Sequence, residues 1–133
     1  MKNKLNNKGF TLIELLAVLV ILVAIMSIAI PSISSSLERT KDKQNKARYT
    51  IIESALEQYI TDNKNAVYDT LNKNGVDTCR MQVHQLKEYL SKDAMKNADD
   101  ESLENSFVTF TRPNTYKFHE NGEGGTTTNC NSN

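Results

Sequence analysis

Apolar positions along this chain fall into three regimes. From Phe10 to Ile30 they run almost unbroken, 21 residues with one charge, Glu14. Leu15, Leu16, Val18, Leu19, Val20, Ile21, Leu22, Val23 and Ile25 cover every face of a helix. Such a helix is surrounded by lipid or by other helices. At about 1.5 Å per residue it is long enough for the roughly 30 Å hydrocarbon core of a bilayer. After Ile30 the spacing becomes three, four or seven, through Ile33, Leu37, Gln44, Ala47, Ile51, Ala55, Leu56 and Tyr59. That is an amphipathic helix. With no Gly or Pro from Leu37 to Thr61, one long helix is predicted over 10–61, ended by Asn63-Lys64-Asn65. Its second half is expected to lay Ala47, Ile51, Ala55, Leu56 and Tyr59 against the carboxy-terminal part of the chain. Ser27 and Pro31 weaken it, because proline lacks an amide donor and crowds the preceding turn. A kink at Pro31, or a short non-helical stretch over 27–31, is expected, with some fraying at Ser32, Ser34, Ser35 and Ser36.

The third regime, 62–133, is polar with short apolar runs. Residues 62–78 read as turn-rich, with a tight turn at Asn74-Gly75. Met81, Val83, Leu86, Tyr89 and Leu90 predict a short amphipathic helix over 80–91. A charged connector spans Lys92–Glu104. Phe107–Thr111 alternates as a strand, Arg112–Thr115 is a turn, and Tyr116–His119 is a second strand. The stretch from Asn121 to Thr128 reads as a flexible loop. About 70 residues make a marginal core, so this head needs the long helix to complete it.

Charge sharpens the division. The chain is neutral overall, with 16 basic and 16 acidic residues, which argues against a basic nucleic-acid module. Its 133 residues exclude a large multidomain enzyme. The charges are banded, however. Lys2, Lys4 and Lys8 make the first nine residues +3, and Arg39, Lys41, Lys43, Lys46 and Arg48 outweigh Glu38 and Asp42 in a +3 collar. Residues 49–133 hold 8 bases and 13 acids. The collar has three readings: a solvated face with local ion pairs one turn apart, charge matching between subunits, or contact with lipid headgroups or nucleic acid.

The front edge of the apolar run reads Lys8-Gly9-Phe10-Thr11-Leu12-Ile13-Glu14. No small-residue cleavage site of a secretory signal follows the run, and a carboxylate inside a span costs about 2.5–3.5 kcal/mol at its centre unless partnered. The string closely resembles the type IV prepilin signature of bacterial pilins and pseudopilins. The resemblance implies a pilin-like α+β fold, a long helix packed on a small head with a short antiparallel sheet. It implies a leader, 1–9, removed by a prepilin peptidase between Gly9 and Phe10, with methylation of the new Phe10 amine. Glu14 would pair with the terminal amine of a neighbouring subunit and set the register of assembly. Pro31 stands where many pilins also have proline. The organisation implied is a leader (1–9), a transmembrane and filament-core helix (10–30), its amphipathic continuation (31–61) and an extracellular head (62–133). Partners would be membrane lipid before assembly, identical or homologous subunits after it, and an assembly platform. Flanking charge alone, three bases before the span and five after, does not favour a cytoplasmic amino terminus; the resemblance places it there.

With that topology Cys79 and Cys130 lie outside the cell, where a disulfide is expected, as is common in pilins; two free buried thiols are the alternative. The bridge would close a loop of about 50 residues and contribute roughly 4 kcal/mol. Other chemistry is sparse. His84 and His119 have no ligand-spaced companions, so no metal is expected. Asp99, Asp100, Glu101 and Glu104 invite calcium but lack a glycine-punctuated loop, and a solvated charge run is favoured. No catalytic constellation and no cofactor motif is present, so the expectation is a structural subunit of a type IV pilus or related filament, not an enzyme. The alternatives are a pseudopilin of a secretion or DNA-uptake system, and a membrane-anchored adhesin that never polymerises. Nucleic acid as a partner has no support in the motifs.

Overall fold

The computed structural model describes residues 9–122 and 128–131. The leader residues 1–8 and tail residues 123–127 lie outside the described residues. The chain divides into two compact units, Met1–Arg39 and Thr40–Asn133.

One helix, α1, runs Leu12–Asp62 through both. Helical structure is unbroken across 27–31, so the non-helical stretch expected there does not form. Proline withdraws one ladder donor, yet the ladder continues on both sides of it, and nearby hydroxyls bond back to the backbone. Ser27 Oγ donates to the Val23 carbonyl at 2.9 Å and Ser34 Oγ to the Ile30 carbonyl at 3.2 Å. These i−4 bonds satisfy serine inside the helix.

In the second unit α1 is one wall of the core. Ile52, Ala55, Leu56 and Ile60 are buried, at the i, i+3, i+4, i+8 spacing of one face. The expected facing set was wrong by part of a turn. Ala47 and Ile51 are exposed, and Ile52, not Ile51, meets the head. Tyr49 and Tyr59 pack at the edge of the core.

A second helix, α2 (Lys64–Asn74), comes after the single residue Asn63, where a turn-rich segment was expected. Its apolar signal is only Val67 and Leu71, both buried, one turn apart, too short to show a period in sequence. Gly75 ends it at φ 64°, the left-handed conformation glycine adopts without steric cost. The Gly75 amide bonds to Asn72 O and the Val76 amide to Leu71 O, a Schellman motif.

Three strands form an antiparallel sheet in sequence order: β1 (Thr78–Gln82), β2 (Phe107–Thr111) and β3 (Thr115–His119). β2 and β3 lie where the alternation placed them. β1 replaces the start of the helix expected over 80–91. Cys79, Met81 and Val83 are buried at period two, and pairing with β2 (Cys79 with Phe110, Met81 with Val108) satisfies the backbone of β1. A short 3-10 turn, Val83–Leu86, comes next, with Gln82 and Gln85 forming a capping box. The face bearing Cys79, Met81, Val108, Phe110, Tyr116 and Phe118 meets the helices: Tyr49 stacks on Phe118 at 4.3 Å, and Tyr68 lies 6.2 Å from Phe110. The result is the pilin-like α+β arrangement, a long helix packed on a small sheet.

Cys79 and Cys130 form a disulfide across a sequence separation of 51. It fixes the chain end against the sheet. The Arg80 amide donates to Thr128 O and the Cys130 amide to Arg80 O, both at 2.9 Å. The tail therefore covers part of the outer edge of β1, an exposure that sheets must manage.

Candidate assembly and maturation site

The first unit holds the residues singled out by the motif. Gly9, Phe10 and Thr11 precede α1 with no regular secondary structure, and Phe10 is 85% exposed. A Cβ built on Gly9 meets nothing within 4 Å, and its φ lies outside the glycine-favouring region. Nothing in the fold of this chain requires glycine there. A demand for glycine at this position has to come from another molecule that reads it.

Glu14 sits in the first turn of α1 and is tied to Thr11. The Thr11 amide and hydroxyl both donate to Glu14 Oε2 at 3.3 Å, while the Glu14 amide donates to Thr11 Oγ1 at 3.4 Å. This reciprocal pair is a capping box, which satisfies two of the orphan donors of a helix start. It was readable in Thr11-Leu12-Ile13-Glu14 as the Thr-x-x-Glu pattern, but sequence reasoning took Glu14 only as an assembly residue and passed over Thr11. The box keeps the carboxylate at the helix start, where the macrodipole favours it.

Behind this cap the helix has no covering. The most apolar 18-residue window of α1 has a mean hydropathy of 3.0 and is 0% buried. From Phe10 to Ile30, 15 large apolar side chains stand exposed, from Leu22 at 45% to Phe10 at 85%. Burying a Leu, Ile or Val is worth about 1.5–3 kcal/mol. This surface therefore represents tens of kcal/mol that only lipid or other chains can recover. A core helix of a water-soluble fold would be buried in its own chain, and this one is not.

Residues 4–30 match the family model of the prokaryotic N-terminal methylation motif. That motif is typical of type IV pilins and pseudopilins. The match takes in Gly9, Phe10, Glu14 and the apolar run. No curated protein and no solved structure matches the chain. The apolar helix and the motif together fit a membrane-inserted precursor and a surface filament, and the motif implies peptidase processing and polymerisation.

In the second unit, the collar has a use that sequence reasoning did not foresee. It holds the connector over 92–104. Lys41 pairs with Asp99, Asn45 Oδ1 accepts from the Ala98 amide at 2.7 Å, and Arg48 donates to the carbonyls of Asp93 and Lys96 at 2.8 and 2.6 Å. Local ion pairs within the collar are absent among the described residues; the i,i+4 ion pair that forms is Lys96–Asp100. Side-chain bonding and attraction from Asp99 raise the Lys41 pKa. Asp100 does the same to Lys96, and Lys96 lowers the Asp100 pKa in return.

The acidic run is engaged with protein groups. Asn97, buried at 5%, organises it: its Oδ1 accepts from the amides of Asp99 and Glu101, and its Nδ2 donates to Glu101 Oε2 at 2.7 Å. No group of three or more His, Cys, Asp or Glu capable of holding a metal occurs among the described residues. His84 and His119 lie on separate elements; His119 Nε2 is 3.1 Å from Thr109 Oγ1. Two more side chains make long-range contacts that carried no sequence signal. Glu53 Oε1 accepts from the Phe118 amide at 2.9 Å. Arg112 bonds Asn72, the Val76 carbonyl and Asp77 at 2.6–3.0 Å, tying the β2–β3 hairpin to the end of α2.

Proposed function

We propose that this chain is a structural subunit of a type IV pilus, made as a prepilin and polymerised through α1. The observation that supports it best is the uncovered apolar helix standing directly behind the matched motif. The precursor inserts with its amino terminus in the cytoplasm. A prepilin peptidase cuts between Gly9 and Phe10, and the new Phe10 amine is methylated. The helix then leaves lipid at an assembly platform and packs among the helices of identical or homologous subunits. Domain limits are then leader 1–9, filament-core helix 10–30, its continuation 31–61 with Pro31 as the point of cheapest bending, and an outward head 62–133. Glu14 carries its carboxylate from the Thr11 cap to the terminal amine of a neighbour, setting register. The carboxy-terminal disulfide supports a pilus over a secretion or DNA-uptake pseudopilus, since such a bridge is common in pilins.

The test is to shear appendages from the source cells and identify the amino-terminal peptide by mass spectrometry. A peptide beginning at methylated Phe10 in the sheared filaments is expected. Chains that keep Met1–Gly9 and stay in the membrane would overturn the reading in favour of an anchored, non-polymerising protein. Gly9→Ala is expected to leave uncut precursor. Glu14→Ala is expected to be cut but to yield few filaments.

A further inference from the structure

The head carries a cleft of about 720 Å³ that the assembly role does not use. One wall is 83–90 and the other is the connector 92–104; the His84 amide on Glu104 O joins the two, and the Leu103 amide on Met95 O closes the connector on itself. Leu90 and Met95, each 8% exposed, form a recessed apolar floor. Lys87, Lys92, Lys96 and His84 stand around it against one acid, Glu104. Lys96 is held by Asp100, whereas Lys87 and Lys92 have no ion-pair partner among the described residues. Residues 49–133 carry an excess of acid, so this is a positive patch set against the overall charge of the head.

We infer that this cleft binds an acidic saccharide unit of a surface glycan. Its volume falls in the roughly 300–1,000 Å³ range of small-molecule sites. A small apolar floor suits the C–H face of a sugar ring. The lysine ammonium groups are point charges suited to a carboxylate. The Ser102 hydroxyl and the His84 ring add hydrogen-bonding groups at the rim. Nucleic acid is disfavoured, because no Phe, Tyr or Trp platform for base stacking and no arginine fork lines the cleft. A membrane surface is disfavoured because the apolar side chains are recessed and none projects from the rim to insert. The inference goes beyond the assembly role and stands or falls without it, since neither cleavage nor polymerisation enters the test.

The experiment is a calorimetric titration of the full chain in neutral detergent with an oligogalacturonate, beside the uncharged oligogalactoside, an oligothymidylate and anionic lipid in the same detergent. Saturable binding of the galacturonate is expected, weakened at high salt by screening. Lys87→Gln with Lys92→Gln is expected to weaken it about tenfold or more, with the Tm of the head unchanged. Lys43→Gln with Lys46→Gln removes the same charge from the exposed collar and is expected to leave affinity as it was. Equal loss in both double variants would overturn the inference by showing charge attraction without a site. No saturation, equal binding of the uncharged sugar, or stronger binding of the oligonucleotide or lipid would overturn it as well.

Discussion

The two units of this chain treat apolar side chains in opposite ways. In Thr40–Asn133, Phe110, Ile52, Leu56, Leu71 and Met81 are all but fully buried by partners within the same chain. In Met1–Arg39, no described apolar side chain is buried, and the helix exposes Leu, Ile and Val on every face. The first kind of surface is completed by folding. The second is completed by whatever the chain is placed in, lipid or other copies of the helix. Identical residue types thus encode a self-sufficient core in one unit and an interaction surface in the other. Only the head should respond to truncation by losing its own stability.

The largest expected effect tests that contrast directly. Phe110→Ala removes a fully buried ring from β2, the middle strand, and should cost about 3–5 kcal/mol of head stability. Leu19→Ala removes comparable apolar surface from a side chain 61% exposed, and should leave the head's denaturation midpoint within about 0.5 kcal/mol. Chemical denaturation in detergent, followed by near-ultraviolet circular dichroism of the head tyrosines, reads both. Equal losses would mean that the rod is part of the same cooperative fold.

Breaking the disulfide comes next. Cys79→Ser with Cys130→Ser should destabilise the head by roughly 2–5 kcal/mol through the freed loop. It should also release the tail from Arg80, because that bridge anchors the backbone bonds of Thr128 and Cys130. Amide exchange at Arg80 and Cys130 should then rise more than exchange at Met81, which is paired with Val108 inside the sheet. Uniform change across β1 would show that the bridge acts only on the unfolded chain.

What was legible in the sequence divides along the same line. Signals that are local and repeated could be read: the apolar rod, the alternation of Phe107–Thr111, and the motif around Gly9, Phe10 and Glu14. Signals that depend on tertiary partners could not. α2 has two apolar anchors, Val67 and Leu71, too few to define a period. Residues 79–90 satisfy both periods in part, and pairing with β2 decides for a strand at Thr78–Gln82. The face of α1 was misjudged because Ile51 and Ile52 are chemically alike, and only the position of the sheet chooses between them. Asn97, Glu53 and Arg112 act across gaps in sequence that no local pattern reports.

At the helix start, Thr11→Ala should cost about 1 kcal/mol of local stability by deleting one half of the capping box. Amide exchange at Glu14 should accelerate about fivefold in detergent, with no change in the head. If Glu14 moves to a neighbour's amine in the filament, the cap is dispensable there, and the same variant should assemble nearly as well as the parent chain. Assembly loss as deep as that of Glu14→Ala would instead make the cap part of the assembled state.

The smallest effect is expected at the ion pairs over the connector. Lys41–Asp99 and Lys96–Asp100 are solvent-exposed, and such pairs contribute little to stability. Lys41→Met should shift the head Tm by roughly 0–3 °C, and less at high salt. The direction of each shift sets the pH window. Asp100 is lowered from its ordinary 3.8, so its contribution is present above that value and is lost as the pH falls through the folded value. Lys41 and Lys96 are raised from 10.5, so theirs is present below that value and is lost as the pH rises through the folded one. The head should therefore hold a broad plateau between those limits, and Lys96→Met should flatten its acid edge. An acid edge unchanged in that variant would locate acid sensitivity elsewhere in the head.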